Sequence, residues 1–177
     1  LLIIEVEGSD DEIKMQLKKI SEIACTHSPV ELREATSDEE AALIWLGRKS
    51  AFGAMGQLND YMCLDGTIPV TELPYVLRRI GEMSREFGLD VGNVFHAGDG
   101  NMHPLILYNA NKPGDLETCE AFGAEILKLC VEVGGCLTGE HGVGIEKRDL
   151  MNVQFNANDL EAQMRIKDVF DPKWLLN

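Results

Sequence analysis

Apolar side chains recur every three or four positions along several stretches of the chain, the spacing that places them on one face of a helix. The first stretch follows Ser9, whose side-chain oxygen can cap the first backbone N–H groups of a helix. The acidic residues after Ser9 favour the same start, because the helix dipole attracts negative charge there. The periodicity predicts further helices over residues 37–52, 71–88, 116–133, 146–151 and 158–170.

Shorter apolar runs predict strands. These runs are residues 2–7, 30–35, 91–96 and 102–108. The last two predict a hairpin closed by the turn Gly98-Asp99-Gly100-Asn101. No regular element is predicted for residues 53–69, because glycines interrupt this less regular segment. Because strands and helices alternate but one strand pair forms a hairpin, we expect an α+β fold. Its central sheet should be mostly antiparallel, with helices packed on one face.

The bulk composition excludes several classes of protein. The chain has 177 residues, enough for one domain, and its 45% hydrophobic and 26% charged residues are ordinary for a globular protein. Its net charge of −14 repels the phosphate backbone of nucleic acids, so we expect no nucleic-acid partner. No apolar run approaches the ~20 residues that a transmembrane helix needs, so we expect no transmembrane segment.

The start of the chain and its cysteines bear on cellular context. The chain begins at Leu1 rather than at a methionine and carries no signal-peptide pattern, so we expect it to be a fragment of a longer protein. Its five cysteines are odd in number and include no C-x-x-C pair. This pattern predicts free thiols in a reducing cytoplasm rather than disulfides or cysteine-bound metal.

Two glycine-rich segments contain three of the four histidines. His96 and His103 flank the Gly-Asp-Gly-Asn turn, in which Gly98 and Gly100 would permit positive φ. Cross-strand neighbours have Cβ atoms ~4.5–5.5 Å apart, so we expect the two imidazoles to face each other and bind one metal ion. Glu140 is the candidate third ligand, which would leave an open coordination position for water or substrate.

The second segment, from Thr138 to Gly144, also predicts a role for its histidine. His141 should project away from the direction of its neighbour Glu140 and face a substrate. The glycines of this segment would let a cofactor ring approach closely, but they do not form the G-x-G-x-x-G pattern, so phosphate binding is not expected. Arg48 has the geometry to bind a carboxylate bidentately, although a solvated cation on a helix face fits its spacing equally well.

Both segments resemble the C-terminal domain of FAD-linked oxidases, the vanillyl-alcohol-oxidase-like flavoproteins. They are residues 95–104 and 139–144, the latter followed by Lys147. Residues 45–52, 62–69 and 154–156 and the ending 170–177 carry the same resemblance, which is greatest to the D subunits of bacterial glycolate oxidases. The resemblance covers residues 1–177 as one domain. It implies a ferredoxin-like α+β substrate domain that caps the flavin, while an N-terminal FAD-binding domain is absent from this chain.

The resemblance implies an oxidation of a 2-hydroxy acid to the 2-oxo acid, with FAD as hydride acceptor. His96, His103 and Glu140 match the ligands of a divalent metal ion, which would be zinc, manganese or iron. His141 matches the catalytic base. The chain by itself is expected to be inactive, because the flavin would be bound mainly by the missing domain.

The resemblance also implies contacts to substrate and cofactor. Arg48 matches an arginine that binds the substrate carboxylate, and Asn101 matches a polar substrate contact. Glu140, His141 and Gly142 are expected to lie against the cofactor.

One position departs from part of the family. Some relatives that oxidise 2-hydroxyglutarate have a lysine about where Cys63 stands, so the cysteine fits a smaller acid such as glycolate or lactate. Partner subunits are implied as well, one of a second flavin type and one that carries iron–sulfur clusters. Such partners would associate a cytoplasmic protein with the inner face of the membrane.

Two alternatives to an oxidase domain follow from the same residues. In a freestanding metallohydrolase, two histidines and a glutamate would activate water on zinc, although the chain lacks H-E-x-x-H on a helix. In a non-catalytic metal-binding or assembly domain, the histidines would only rigidify the hairpin.

Overall fold

The structure is a computed structural model that describes residues 1–176. The chain divides into two compact units, Leu1–Ser50 and Ala51–Asn177. Within the described residues, no helix combines the length and the apolar composition needed to cross a bilayer.

The first unit is helical. Helix α1 covers Asp10–Thr26, and helix α2 covers Asp38–Gly56 and ends beyond the boundary of the unit. At the start of α1 the backbone N–H of Ser9 donates to the Glu12 carboxylate over 2.8 Å, which pairs a group that the helix itself leaves unpaired. Both predicted helices are confirmed, and α2 extends about one turn further than predicted.

The two strands predicted in this unit are wrong, since residues 2–7 and 30–35 form no strand. A strand is stable only when its backbone groups pair with a second strand, and the described residues of this unit supply none. The residues near the second run instead bind the start of α2. Arg33 Nη2 donates to Glu40 over 2.6 Å, and the backbone N–H of Thr36 donates to the same carboxylate over 2.9 Å.

The second unit contains five short strands. They are β1 (Asp60–Cys63), β2 (Gly66–Thr67), β3 (Val91–Asn93), β4 (Asn101–Met102) and β5 (Pro104–Tyr108). One sheet has the order β1-β5-β3, a second sheet pairs β2 with β4, and every pair is antiparallel. The predicted α+β class with an antiparallel sheet is therefore confirmed.

Two strand predictions in this unit need correction. Strands β1 and β2 lie within residues 53–69, where no regular element was predicted. Strands of four and two residues are too short to show an alternating pattern, and the partner of Cys63 is the distant Leu105. The strand predicted over 102–108 is also interrupted, because His103 lies between β4 and β5.

The core of the second unit lies between the sheet and two helices, α3 (Leu73–Phe87) and α4 (Asp115–Glu132). Both helices agree with the prediction, and Gly88 ends α3 in a left-handed conformation with φ of 69°. The rings of Phe87 and Phe122 stack between them with centroids 5.1 Å apart. The two helices pack against each other and against the sheet, so the helix layer supports the strands that carry the site.

Two further helices follow the histidine-containing loop. The predicted helix over 146–151 is replaced by a 3-10 turn at Arg148–Leu150 and the four-residue α5, Met151–Gln154. Helix α6 covers Ala157–Phe170, one residue longer at its start than predicted. The Asn156 side chain caps it by accepting from the backbone N–H of Asn158 over 2.9 Å.

Candidate active site

The hairpin between β3 and β5 turns sharply between its two histidines. Ala97–Asp99 forms one 3-10 turn, and Gly100 follows with φ of 69°, a left-handed conformation that favours glycine. A Cβ atom on Gly100 would lie 2.1 Å from the carbonyl oxygen of Ile68, so a larger residue has no space here. Gly100 therefore has the positive φ predicted for it, whereas Gly98 does not.

The register of this hairpin differs from the prediction. His96 bridges to Asn101, while the backbone carbonyl of His103 accepts from Val94 over 3.4 Å. The expectation that the two histidines are direct cross-strand neighbours is wrong, because the 3-10 turn and Gly100 occupy the four positions between the closing pair. The two rings are nevertheless near each other, with centroids 6.1 Å apart and planes at 81°.

His103 is buried, and its ring has a partner on each side. Nδ1 lies 3.0 Å from the carbonyl oxygen of Leu64 and so carries the proton that it donates there. This tautomer leaves a lone pair on Nε2, which lies 2.9 Å from Oε1 of Glu140. Two acceptors at this distance require a shared cation between them, either a proton or a metal ion.

His141 lies beside the same histidine. Its ring stacks on that of His103, with centroids 5.1 Å apart and planes 18° apart. Glu140 contacts the nitrogen edge of His103 while His141 covers a ring face, so the two neighbours contact different parts of the same ring. That His141 faces a substrate stays a prediction. Both Glu140 and His141 are exposed, which makes them accessible to a small molecule.

One buried carboxylate, that of Asp65, holds the loop that carries these residues. Its Oδ2 accepts from the Thr138 hydroxyl over 2.6 Å and from the backbone N–H of Gly139 over 3.0 Å. The backbone N–H of Glu140 donates over 3.1 Å and that of His141 over 2.8 Å. Three consecutive backbone donors therefore converge on one side chain, which is wholly buried.

The side chain of Lys147 contacts both Asp65 and Thr138. Its Nζ lies 3.3 Å from Asp65 Oδ2 and 3.2 Å from the Thr138 hydroxyl, and the lysine is buried as well. Burial by itself raises the pKa of the Asp65 carboxyl. The hydrogen bonds from Thr138 and from the loop N–H groups outweigh burial, and the charge of Lys147 adds to them. The pKa of Asp65 is consequently well below its usual range.

Sequence reasoning gave Asp65 no role. Its partners in the loop are 73 to 76 residues away along the chain, so no local spacing connects them. The single signal is Lys147, which follows the second histidine segment and is the buried cation that Asp65 binds.

The donor atoms at the site fit a divalent metal ion. Atoms of ligand type from Asp65, His103, Glu140 and His141 all lie within 4.8 Å of one another. The Asp65 oxygens already accept several hydrogen bonds, so the atoms open to an ion are those of the other three residues. Two imidazoles and one carboxylate suit zinc, manganese or iron. His96 is outside this group, and its role as a ligand stays a prediction.

Asn101 and Gly139 pack closely beside the histidines. A Cβ atom on Gly139 would lie 2.8 Å from Asn101 Oδ1 and equally close to the Thr67 methyl group. Among the described residues, Asn101 Oδ1 is the one buried side-chain oxygen or nitrogen without a hydrogen-bond partner. An unpaired buried acceptor is costly, so this oxygen lacks the hydrogen-bond donor that would stabilise it. The role of Asn101 as a substrate contact stays a prediction.

A cavity of about 350 Å³ opens next to His141. It is lined by Cys63 and by residues 141–147. Gly142 lines it with φ of 85°, a left-handed conformation that favours glycine, and has open space where a side chain would be. Burial raises the pKa of the Cys63 thiol to about 11, and the negative charge of Asp65 adds to this effect. The thiol is therefore neutral at physiological pH.

Arg48 lies in α2 within the unit Leu1–Ser50, whereas the other candidate residues belong to the unit Ala51–Asn177. Its assignment to the substrate carboxylate stays a prediction.

Comparison with known proteins identifies one family over the whole chain. The family described as "FAD linked oxidases, C-terminal domain" matches residues 1–177. The chain is 44% identical to glycolate oxidase subunit GlcD of Escherichia coli strain K12 over 100% of its own length and 36% of that protein. It is 30% identical to glycolate oxidase subunit GlcD of Bacillus subtilis, over 100% of the chain and 38% of that protein.

A further relative has a different name. The chain is 28% identical to the mitochondrial D-lactate dehydrogenase [cytochrome] of Kluyveromyces lactis, over 99% of the chain and 31% of that protein. The chain thus spans about a third of the length of the curated relatives that it matches.

Proposed function

The chain belongs to the family of FAD linked oxidase C-terminal domains, and from this premise we propose that it forms the substrate site of an FAD-dependent 2-hydroxy acid oxidase or dehydrogenase. The proposed substrates are small acids of the glycolate or D-lactate type, which the full-length protein oxidises to 2-oxo acids. One observation carries this proposal: exposed His141 is stacked on buried His103 and adjoins Glu140, which brings the proposed base next to two proposed metal ligands. The names of the relatives support the substrate class.

His141 is the general base in this proposal. Its ring nitrogen accepts the proton of the substrate hydroxyl group, which has to leave when the hydroxyl carbon is oxidised to a carbonyl. The exposure of His141 gives the substrate access, while the stacked ring of His103 restricts the orientation of the imidazole. A positioned general base of this kind contributes ~10²–10⁴-fold to a rate.

His96, His103 and Glu140 are the proposed holders of a divalent metal ion. When bound, such an ion supplies Lewis acidity to the substrate oxygens. The carbonyl of Leu64 keeps the proton of His103 on Nδ1, so Nε2 offers its lone pair towards Glu140. Histidine ligands commonly have this second hydrogen bond, because it fixes the tautomer and the direction of the ring.

The cofactor is proposed to lie against Glu140, His141 and Gly142, and to be held mainly by a separate N-terminal domain of the same full-length chain. FAD supplies the hydride acceptor when it is bound. Arg48 is the proposed partner of the substrate carboxylate, since a guanidinium group binds a carboxylate through two parallel hydrogen bonds. Asn101 offers the unpaired Oδ1 as a second, polar contact.

The cavity beside His141 supports a small substrate. Cys63 carries a neutral thiol there, so it provides no charge for a second carboxylate. Glu146 also lines this cavity and would repel an additional negative charge. Monocarboxylic acids with short side chains are therefore the proposed class.

The proposal also includes partner subunits. Two relatives are named as subunits of glycolate oxidase, which supports an assembly with other chains. We propose partners of a second flavin type and of an iron–sulfur type, and a cytoplasmic location at the inner face of the membrane.

The experiment that tests the function uses the full-length, FAD-loaded protein. Glycolate, D-lactate and D-2-hydroxyglutarate are added separately without oxygen, with and without a chelator, and the bleaching of the oxidised flavin is followed. We expect bleaching by glycolate or D-lactate that the chelator weakens. Absence of bleaching with every acid contradicts the proposal, and hydrolysis of esters without flavin would favour a metallohydrolase instead.

A further inference from the structure

Asp65 has no part in the proposed reaction, yet its contacts converge on the residues that do. It directly follows Leu64, whose backbone carbonyl binds Nδ1 of His103. Its own side chain binds the backbone N–H groups of residues 139–141. Two adjacent residues just after the end of β1 thus contact both segments that build the site.

We propose that Asp65 is a positioning residue, which holds residues 138–141 in the conformation that places Glu140 at the nitrogen edge of His103 and His141 on its ring face. This inference rests on the proposed function for its catalytic consequence, although the anchoring of the loop does not depend on it.

A role as a fourth metal ligand is disfavoured by the contacts of the carboxylate. Oδ2 accepts from the Thr138 hydroxyl and from the N–H groups of Gly139 and His141, all within 3.0 Å. Oδ1 accepts from the N–H of Glu140 over 3.1 Å. The side chain is wholly buried, so no free and exposed lone pair is left for an ion. Its charge acts on the loop backbone instead.

The chemistry of the contacts explains why an aspartate is needed. Hydrogen bonds from backbone N–H groups to an ionised carboxylate are roughly twice as strong as those between neutral groups. An asparagine would offer one neutral oxygen and would turn N–H donors towards other donors. It would also leave Lys147 as a buried cation without a counter-charge, since their separation is 3.3 Å.

The buried pair complicates a single substitution, because Asp65→Asn by itself can prevent folding. A second variant, Asp65→Asn with Lys147→Met, removes both charges at similar side-chain volume. Removing a complete buried ion pair is often tolerated, whereas removing one partner is not. The double variant therefore avoids the cost of an unpaired lysine while it removes the anionic anchor, together with the contact of Lys147 to Thr138.

A control variant must lose stability without touching the site. Ile126→Ala meets this need, since Ile126 lies buried in α4 within the core. The concentration of denaturant can then be chosen so that the control and the double variant are equally folded.

The experiment compares full-length, FAD-loaded proteins by three measurements. Hydrogen exchange reports the amides of residues 139–141, titration of the chelator-treated protein with Co²⁺ reports metal affinity, and steady-state kinetics separate kcat from KM. In the double variant we expect exchange at least 10-fold faster at these amides. Groups that orient metal ligands typically change affinity or activity by ~10–100-fold, so we expect Co²⁺ affinity and kcat to fall by that factor, with a smaller change in KM.

The outcomes distinguish positioning from simple stabilisation. Unchanged exchange at residues 139–141 overturns the inference. Faster exchange together with wild-type Co²⁺ affinity and wild-type kcat also overturns it, as does an equal loss in Ile126→Ala. If the wild-type protein oxidises no hydroxy acid, the proposed function fails, while the exchange and Co²⁺ measurements still decide whether Asp65 positions the loop.

Discussion

The imidazole of His141 lies nearly parallel to that of His103, with ring centroids 5.1 Å apart and an angle of 18° between the planes. The two residues differ in exposure, since His103 is buried and His141 is open to solvent. The buried ring is fixed by the Leu64 carbonyl and by Glu140, so it forms a rigid surface beneath the exposed one. This arrangement supports the proposal that the inner ring binds an ion and the outer ring accepts a proton.

The first prediction concerns metal content. His103→Ala removes the Nε2 atom that faces Glu140 over 2.9 Å, so the purified full-length protein should lose at least ~90% of its bound divalent metal, in line with a 10–100-fold loss of affinity. Elemental analysis after dialysis measures this. Elemental analysis of His96→Ala should also show a loss of bound metal. The rings of His96 and His103 lie near each other, with centroids 6.1 Å apart, so both can contribute to one site.

The metal contents of His96→Ala and His103→Ala test the two proposed histidine ligands separately. Unchanged metal content in His96→Ala removes His96 from the ligand set and leaves His103 and Glu140 as the proposed ligands. Unchanged content in His103→Ala contradicts the proposed metal site.

The second prediction concerns the close packing of Gly139. A Cβ atom there would lie 2.8 Å from both Asn101 Oδ1 and the Thr67 methyl group, so Gly139→Ala must displace the loop. Overpacking of this kind costs about 1–3 kcal/mol. A displacement of ~1 Å at a reacting group costs about 100-fold in rate. We therefore expect both a lower Tm and a strong loss of turnover in the full-length enzyme.

A matched control for this glycine is Gly81, which lies in α3, where an added Cβ atom would have no neighbour within 4 Å. Gly81→Ala should stabilise the protein by about 0.8–1.0 kcal/mol through helix propensity and leave turnover unchanged. Equal effects of the two substitutions on turnover would mean that packing at Gly139 does not position the loop.

The third prediction concerns substrate choice. Cys63→Lys places a cation in the cavity beside His141, where the thiol of the natural residue is neutral. Paired with a carboxylate, a partly buried cation is worth about 1–3 kcal/mol, so kcat/KM for D-2-hydroxyglutarate relative to D-lactate should rise by about 10-fold or more. Cys63→Ser is the control, since it changes the group without adding charge. If kcat/KM for D-2-hydroxyglutarate relative to D-lactate is unchanged in both variants, the substrate does not bind in this cavity.

The helices of the fold could be predicted from the sequence because the apolar spacing that indicates a helix lies within the helix itself. Helices α3 and α4 have 15 and 18 residues, long enough for the apolar stripe to repeat several times. The strands have two to five residues, and β1 pairs with a strand some forty positions later, so their stability comes from partners that the local pattern does not contain. This is why residues 53–69 lacked predicted strands and residues 2–7 were assigned one.

Several residues of the candidate site could be predicted from the sequence, but the residue that holds their loop in place could not. Histidines and a carboxylate in two glycine-rich segments predicted one site containing His96, His103, Glu140 and His141, and the structure groups the last three of these. The register at His96 could not be derived, because it depends on how many residues the 3-10 turn takes up. Asp65 was missed because no local sequence pattern marks a buried carboxylate. Its hydrogen-bond donors are residues 138–141, which only the fold brings next to it.

The fourth prediction concerns acid stability at the end of α6. A hydrogen bond from Lys167 Nζ and backbone N–H donors from Leu176 and Leu175 hold the pKa of Asp171 at about 2. The folded pKa is below the unfolded value of ~3.9, so this carboxylate stabilises the fold above pH 4 and loses that contribution as the pH falls towards 2. Urea unfolding of the wild type and of Asp171→Asn should differ at pH 7 and converge near pH 2. A constant difference across this range would contradict the assignment.

The fifth prediction concerns His141 as the general base and is measured by the turnover of the full-length His141→Ala variant loaded with FAD and metal. Loss of a general base predicts a fall in kcat of about 10²–10⁴-fold with glycolate or D-lactate, while FAD content stays at the wild-type level. His27→Ala is the matched control, because His27 is an exposed histidine at the end of α1 to which no role in the reaction is assigned. Near-wild-type turnover in His141→Ala would contradict the account, as would an equal loss in His27→Ala.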